Sequence, residues 1–319
     1  MFPRILVPTI LIASASALLA ADKSPAFTEP EAAGPDFAIQ GEYTAENGAA
    51  QVLAMGNGKF HIVGWSHGLP GAAPDAEKTL EIDAERDSAG VVRFSTPEWN
   101  GEITGDTLRG TNAEGKTVTA KKTLRTSTTL GQKPPAGAVV LFDGSNADAW
   151  QNGKMDERGL LGVGTKSKQT FGDCTLHVEF RTPFMPEARG QGRGNSGVYV
   201  QDRYECQVLD SFSLKGQSNE TGGIYQVAGP KVNTCLPPLS WQTYDIDLQS
   251  ARFDSEGRKT ENARISVRLN GTLVQDNVEL RGPTPGGGLK ESADPGPIML
   301  QNHGNPVFFR NIWVLEKKK

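Results

Sequence analysis

The chain is predicted to be all-β, with a small antiparallel β domain followed by a two-sheet β-sandwich. Three observations carry this expectation. Gly 37 and Pro 20 among 319 residues require many turns. Short runs alternate apolar and polar residues, the pattern of half-buried strands. No segment sustains an apolar period of 3.6 residues, so long amphipathic helices are not expected. A chain of this length exceeds what one small core usually holds, which makes two domains the default.

The first residues read as a leader. Arg4 precedes an apolar run, Ile5 to Ala20, broken only by Pro8, Thr9 and serines and ending in small side chains. That is the pattern of a secretory signal peptide, assigned to residues 1–21, and it implies a secreted or periplasmic mature protein. The run is too short for a spanning helix with polar flanks, and nothing later approaches the roughly 20 apolar residues a bilayer crossing needs. No membrane span is expected. Lys+Arg 33 against Asp+Glu 37 gives a net charge of −4, with the basic residues scattered. Without a basic patch there is little counterion release to drive nucleic-acid binding, and nucleic acid is excluded as a partner. Cys174, Cys206 and Cys235 contain no CxxC pair, which argues against a metal–thiolate site. Export permits a disulfide, whereas the apolar neighbours of Cys174 and Cys206 suit buried free thiols.

In the N-terminal domain, residues 36–125, strands are expected at Phe37–Tyr43, Ala50–Met55, Lys59–Gly64, Thr79–Ala84, Val91–Ser95, Trp99–Thr104, Thr107–Asn112 and Thr117–Leu124. Turns such as Asn57-Gly58, Asn100-Gly101, Gly105-Asp106 and Glu114-Gly115 separate them, giving a meander or small barrel. Residues 126–137, with Gly131-Gln132 and Pro134-Pro135, have no apolar period and read as a linker. The second domain, 138–319, opens with Val139-Val140-Leu141-Phe142. Strands follow at Thr175–Arg181, Gly197–Val200, Tyr204–Leu209, Gln242–Leu248, Ala263–Leu269, Thr272–Asn277, Ile298–Gln301 and Val307–Val314.

Alternation assigns side chains to faces. In Tyr204 to Val208, Tyr204, Cys206 and Val208 take one face, and Glu205 and Gln207 the other. Cys174, Leu176, Val178 and Phe180 likewise oppose Thr175, His177, Glu179 and Arg181, while Gln301 and His303 share a face. If these strands are neighbours, Glu179, Arg181, Glu205, Gln207, Gln301 and His303 converge on one polar concave surface. The bland alternative is a solvated sheet face. Gly-rich loops carrying polar and aromatic groups weigh for a site: Arg193-Gly194-Asn195-Ser196-Gly197, Thr221-Gly222-Gly223-Ile224-Tyr225 and Asn302-His303-Gly304-Asn305-Pro306. Such loops suit sugars, with Asn195 and Tyr225 as binding candidates. The spacing Glu205, Gln207, Asp210 also matches the carboxylate strand of retaining glucanases, except that the middle acid is Gln. His61, His67 and His177 are isolated in the sequence and suit structural roles.

Several ordered blocks are specific enough to name a resemblance. They are Leu141-Phe142-Asp143-Gly144, Phe171-Gly172-Asp173, Glu179-Phe180-Arg181-Thr182-Pro183, Gly194 to Tyr199, Tyr204 to Ser211, Gly222 to Tyr225, Trp241 to Asp245, Leu300 to Pro306 and Phe309 to Ile312. From about 138 to 317 the chain resembles the 3-keto-disaccharide hydrolase domain family. The pattern departs after Trp150-Gln151-Asn152-Gly153, where the short strand expected of the family blurs into Lys154 to Lys168. The resemblance implies a concanavalin-like, jelly-roll sandwich acting on a 3-keto glycoside. A ketone at C3 acidifies the C2 hydrogen, so a base can remove it, the C1 substituent can leave, and water can add back, for net hydrolysis. That chemistry needs a base, an acid and a group that stabilises the enolate. By this resemblance Glu205 and His303 are the base and acid in either order. Arg181 or a divalent cation such as Ca2+ stabilises the enolate. Asn195, Gln207 and Gln301 orient hydroxyls, and Glu179 and Asp210 are candidate metal ligands. The same fold also serves non-catalytic carbohydrate-binding modules, and Glu205 with Asp210 would suit a conventional two-carboxylate glycosidase.

Overall fold

The computed structural model describes residues 24–317, so the expected leader, residues 1–21, lies outside the described residues. Eight antiparallel strands come first: β1 (Gly41–Ala45), β2 (Gly48–Gly56), β3 (Lys59–Ser66), β4 (Glu77–Arg86), β5 (Val92–Ser95), β6 (Trp99–Thr104), β7 (Thr107–Asn112) and β8 (Thr117–Thr123). β1 pairs with β8 through Glu42–Thr123, Tyr43–Lys122 and Thr44–Lys121, which closes the sheet into a barrel and leaves it no free edge. Its core is built from alternate residues, among them Tyr43, Val52, Phe60, Ile62, Ile82, Val92 and Ile103.

One expectation here is corrected. Phe37 to Ile39 are not strand but the end of a short helix, α1 (Gly34–Ile39), and β1 starts only at Gly41. Pro35 in the first turn and Asp36 beside it are helix-starting residues. Asp36 accepts from Gly58 N (2.9 Å) and Arg86 Nη2 (2.9 Å), and Gln40 Oε1 accepts from Ala54 N (2.9 Å). The helix therefore stoppers one end of the barrel. Alternating apolar residues over so short a run fit a stopper as well as a strand.

The second unit comprises β9 (Val139–Phe142), β10 (Trp150–Gln151), β11 (Thr165–Phe171), β12 (Cys174–Arg181), β13 (Ser196–Val200), β14 (Tyr204–Val208), β15 (Gln242–Gln249), β16 (Arg252–Phe253), β17 (Lys259–Glu261), β18 (Ala263–Leu269), β19 (Thr272–Leu280), β20 (Gly296–Leu300) and β21 (Phe308–Glu316). β16 and β17 pair only with each other. The rest form a five-stranded sheet, β10-β11-β20-β13-β14, and a six-stranded sheet, β19-β18-β15-β12-β21-β9. The fold is thus the expected two-sheet β-sandwich preceded by a small β domain. Leu176, Val178, Phe180, Tyr244 and Ile246 from one sheet meet Val198, Val200, Cys206, Val208, Ile298 and Leu300 from the other. Strand β11 escapes a sequence reading because its inward residues include Thr165 and Ser167, and Ser167 Oγ accepts from Ile298 N (2.9 Å) at a bulge. The three cysteines are unpaired and buried.

The segment 126–137 is an ordered strap on the outer face of the six-stranded sheet. Ser127 Oγ bonds Thr243 Oγ1 (2.6 Å), Thr129 Oγ1 donates to Asp245 (2.8 Å), Gly131 N donates to Glu179 (2.6 Å), and Gln132 O accepts from Asn311 Nδ2 (3.1 Å). Barrel and sandwich meet on the loop after β12. Phe184 pairs its backbone with Phe27, and its ring, fully buried, belongs to the barrel core beside Phe37 (centroids 5.3 Å apart). Arg189 donates to Met55 O (2.7 Å). Phe184→Ala is therefore expected to destabilise the protein by about 3–5 kcal/mol, the usual cost of removing a buried ring. A shift in the urea midpoint measures it, and a loss below about 1 kcal/mol would contradict this account of the docking.

Candidate active site

The site lies on the outer face of the five-stranded sheet. Strand alternation sends Val198, Val200, Cys206 and Val208 into the core, so Gly197 and Tyr199 of β13 and Glu205 and Gln207 of β14 point outward. The register places Tyr199 opposite Glu205 and Gly197 opposite Gln207. Loops then cover what would otherwise be a wet face. Residues 221–225 run along β14, with Tyr225 N donating to Glu205 O (3.1 Å) and Gln207 N to Gly223 O (3.0 Å). Thr284 Oγ1 accepts from Glu205 N (2.9 Å), which seats the loop containing Pro285 and Gly286. From the opposite sheet the buried Tyr244 hydroxyl crosses the core, donates to Gln207 O and accepts from Gly222 N (2.5 Å). The result is a cavity of about 210 Å3 lined by Gln191, Asn195, Tyr199, Glu205, Gln207, Tyr225, Pro285, Gly286, Gln301 and His303.

Glu205 forms its floor and is only 2 % exposed. A Cβ added to Gly197 would lie 2.2 Å from Glu205 Oε1, so only glycine leaves room for the carboxylate to lie over β13. Removal from water raises the Glu205 pKa to about 7, and the bond donated by Tyr199 Oη (2.6 Å) only partly offsets that. Burial and the adjacent carboxylate push the Tyr199 phenol up in turn. Tyr199 Oη also lies 2.9 Å from Pro285 O and accepts from Gln301 Nε2 (3.2 Å). With one proton and two acceptors, the phenol can turn to Pro285 when Glu205 is protonated and to Glu205 when it is ionised. Gln207 Nε2 bonds Gln191 Oε1 (3.1 Å) and Asn195 Oδ1 (3.3 Å), while Gln301 Oε1 is buried with no partner among the described residues. His303 is exposed at the mouth.

Six of the nine residues named from the sequence therefore line one cavity: Glu205, His303, Asn195, Gln207, Tyr225 and Gln301. The other three do not, which corrects the expected convergence. Glu179 and Arg181 belong to β12 in the six-stranded sheet, whose polar face points out on the far side of the sandwich. Arg181 pairs with Glu29 (2.9 Å) near the barrel. Glu179 is buried beneath the strap. Burial would raise its pKa, but the nearby His177 imidazole (3.8 Å) and the bonds donated by Asn311 Nδ2 (2.9 Å), Arg310 Nε (2.7 Å) and Gly131 N (2.6 Å) outweigh that and hold it at about 2. His177, also buried there, bonds Asp245 (2.6 Å) and stacks on Trp313. Asp210 is buried against Arg193 Nε (2.7 Å), whose Nη1 reaches Ala54 O of the barrel (3.4 Å). Glu179, on β12, and Asp210, in the loop just after β14, are thus each committed to an arginine and do not form a ligand pair. Among the described residues, no three His, Cys, Asp or Glu side chains are grouped to hold a metal ion. Tyr199 and Gln191 line the cavity as well, and alternation in Gly197-Val198-Tyr199-Val200 puts Tyr199 on the site face, whereas no sequence pattern points to Gln191.

A family model for the 3-keto-alpha-glucoside-1,2-lyase-like domain matches residues 137–315, more than half of the chain. The chain belongs to this family. The matched region is the sandwich with its cavity, which makes it a hydrolase- or lyase-like, carbohydrate-directed domain, and it leaves the barrel outside. A solved structure from Parabacteroides distasonis ATCC 8503, provisionally assigned as a glycosyl hydrolase, is 32% identical, with TM-score 0.52 over 57% of this chain and 85% of that one. A second from the same organism, with the same provisional assignment, is 16% identical, with TM-score 0.42 over 57% and 94%. No curated protein matches.

The Glu205–Tyr199 pair is directly testable. The carboxyl 13C resonance of Glu205 is expected to titrate near pH 7 and to move higher in Tyr199→Phe, because that variant loses the bond favouring the ionised form. A midpoint near 4.5 would contradict the burial argument. The raised pKa also means that Glu205 favours folding at low pH, and that this contribution is lost as pH rises through about 7. Glu205→Gln should therefore stabilise the protein more at pH 8 than at pH 5, measured by paired denaturation curves.

Proposed function

We propose that the sandwich domain of an exported protein cleaves 3-keto glycosides, with Glu205 as the base that removes the C2 proton. The observation that carries this reading is a single desolvated carboxyl, with its pKa raised to about 7, on the floor of a polar cavity. A base poised near neutral pH takes a proton most effectively from an acidified carbon. The C2–H electrons pass into an enolate spanning C2, C3 and the ketone oxygen. The enolate then expels the C1 oxygen substituent, which takes up a proton, and water adds across C1 and C2 to give the free 3-keto sugar. In this reading His303, exposed where it lines the cavity, is the acid that protonates the departing oxygen. Gln301 Oε1 supplies an unpaired buried acceptor for a sugar hydroxyl, and Asn195 and Gln207 supply further polar groups. Tyr225 offers a ring face. At about 210 Å3 the cavity is smaller than those that take drug-sized ligands and suits a single sugar ring.

A conventional retaining glycosidase needs a second carboxylate about 5 Å from the first. Glu205 is the one carboxylate among the described residues lining the cavity, and Asp210 is held by Arg193. A purely binding module would gain nothing from a desolvated carboxyl, which weighs against that alternative. The apolar run in residues 1–21 supports export to the periplasm or beyond.

The test is turnover of a 3-keto glucoside beside the unoxidised glucoside. The 3-keto compound is expected to be cleaved with deuterium incorporation at C2 in heavy water, and kcat/KM should rise as Glu205 ionises through about pH 7. Glu205→Gln should lose about 10²–10⁴-fold, the usual contribution of a general base. Equal cleavage of both glucosides, or full activity of Glu205→Gln, would overturn the reading.

A further inference from the structure

The barrel contains a cavity of about 580 Å3, larger than the sandwich site and open at the end away from α1. It follows from where small and large residues fall. Toward α1 the interior is filled by Tyr43, Val52, Phe60 and Ile103, together with Ile39, Phe37 and Phe184. Toward the opposite rim the inward positions carry Gly48, Ala50, Gly64, Gly110 and Ala120, which cannot fill the space. An eight-stranded barrel has an interior that side chains can just fill or that can hold one small ligand, and here one half does each. The open half is walled by Ile62, Leu80, Ile82, Phe94, Trp99 and Leu108. Gly101 and Gly110 face each other across β6 and β7. A Cβ on Gly101 would lie 2.3 Å from Phe94, and one on Gly110 3.3 Å from Trp99, so both rings lie against bare backbone. The charged residues of the lining, Glu46 and Lys116, are exposed on the rim hairpins. None of the buried side-chain polar atoms without a partner belongs to this wall. A ligand there finds apolar contact and ring faces rather than buried hydrogen-bonding groups.

We propose that the barrel is a binding cup for a neutral, apolar, ring-bearing small molecule, stacked on Trp99 with any polar end directed to the rim near Asn47 and Asn112. A cavity of this volume falls within the usual range for small-molecule sites, and a charge inside it would be desolvated without a partner. The site is separate from Glu205 and does not rest on the reading of the sandwich.

The test titrates the full chain with the neutral fluorophore N-phenyl-1-naphthylamine and with the anionic 1-anilinonaphthalene-8-sulfonate. The neutral probe is expected to bind one equivalent at least about tenfold more tightly than the anion, since a buried charge is penalised. Methyl resonances of Ile62, Leu80, Ile82 and Leu108 should shift, and those of Ile246 and Ile265 in the sandwich should not. Ala50→Leu and Ala120→Leu put added methylenes into the space the ligand would occupy and should each weaken binding by about tenfold or more. Where a variant fails to fold, the methyl shifts of the natural protein still decide. Non-saturable binding, shifts confined to the sandwich, or affinity unchanged in a folded filled variant would overturn the proposal.

Discussion

Everything distinctive about the sandwich depends on holding one carboxyl out of water on the outer face of a sheet. Such a group is costly to ionise, so the surroundings must exclude solvent and still leave it a use. Gly197 lets Glu205 lie over the neighbouring strand, Tyr199 bonds it, and four loops wall the space above. Those loops in turn need anchors. Tyr244 reaches through the core to fix both β14 and the 222 backbone, and Thr284 seats the opposite wall. The conformation of the outer loops is thus governed partly from the far sheet.

The two outer faces of the sandwich show what donors do to a buried acid. Glu179 and Glu205 are both almost fully buried on polar strand faces. Glu179 gathers bonds from two side-chain nitrogens and a backbone amide, with an imidazole 3.8 Å away, and stays ionised far into acid. Glu205 receives one bond, from a phenol, and titrates near neutrality. Burial acts in the same direction on both, so the number and charge of the donors decide the outcome. One face is accordingly a structural seam closed by the strap, and the other holds a carboxyl that changes protonation near neutral pH.

The barrel and sandwich are joined by groups that serve both. Phe184 leaves the sandwich to complete the barrel core, and Arg193 pairs with Asp210 while reaching a barrel carbonyl. Arg193 directly precedes Gly194 and Asn195 of the site loop, so docking of the barrel also holds one wall of the cavity. That continuity gives a physical reason for two units of different build to share one chain.

Much of this was legible in the residues themselves. Alternation located nearly every barrel strand and most sandwich strands, because a two-residue period is a local consequence of one wet and one dry face. It failed at α1, where the helix is too short to show a period, and at β11, whose inward residues are polar. It also assigned Glu205, Gln207, Glu179 and Arg181 correctly to outward faces. Which sheet each strand joins is another matter, since it depends on contacts between residues far apart in the chain. Only the tertiary structure separated Glu179 and Arg181 from Glu205 and turned Asp210 toward Arg193. Only it brought Tyr199, Gln191 and the 285–286 backbone around the carboxyl. A sequence states which way a side chain faces along its own strand, and the pairing of distant strands decides what it faces.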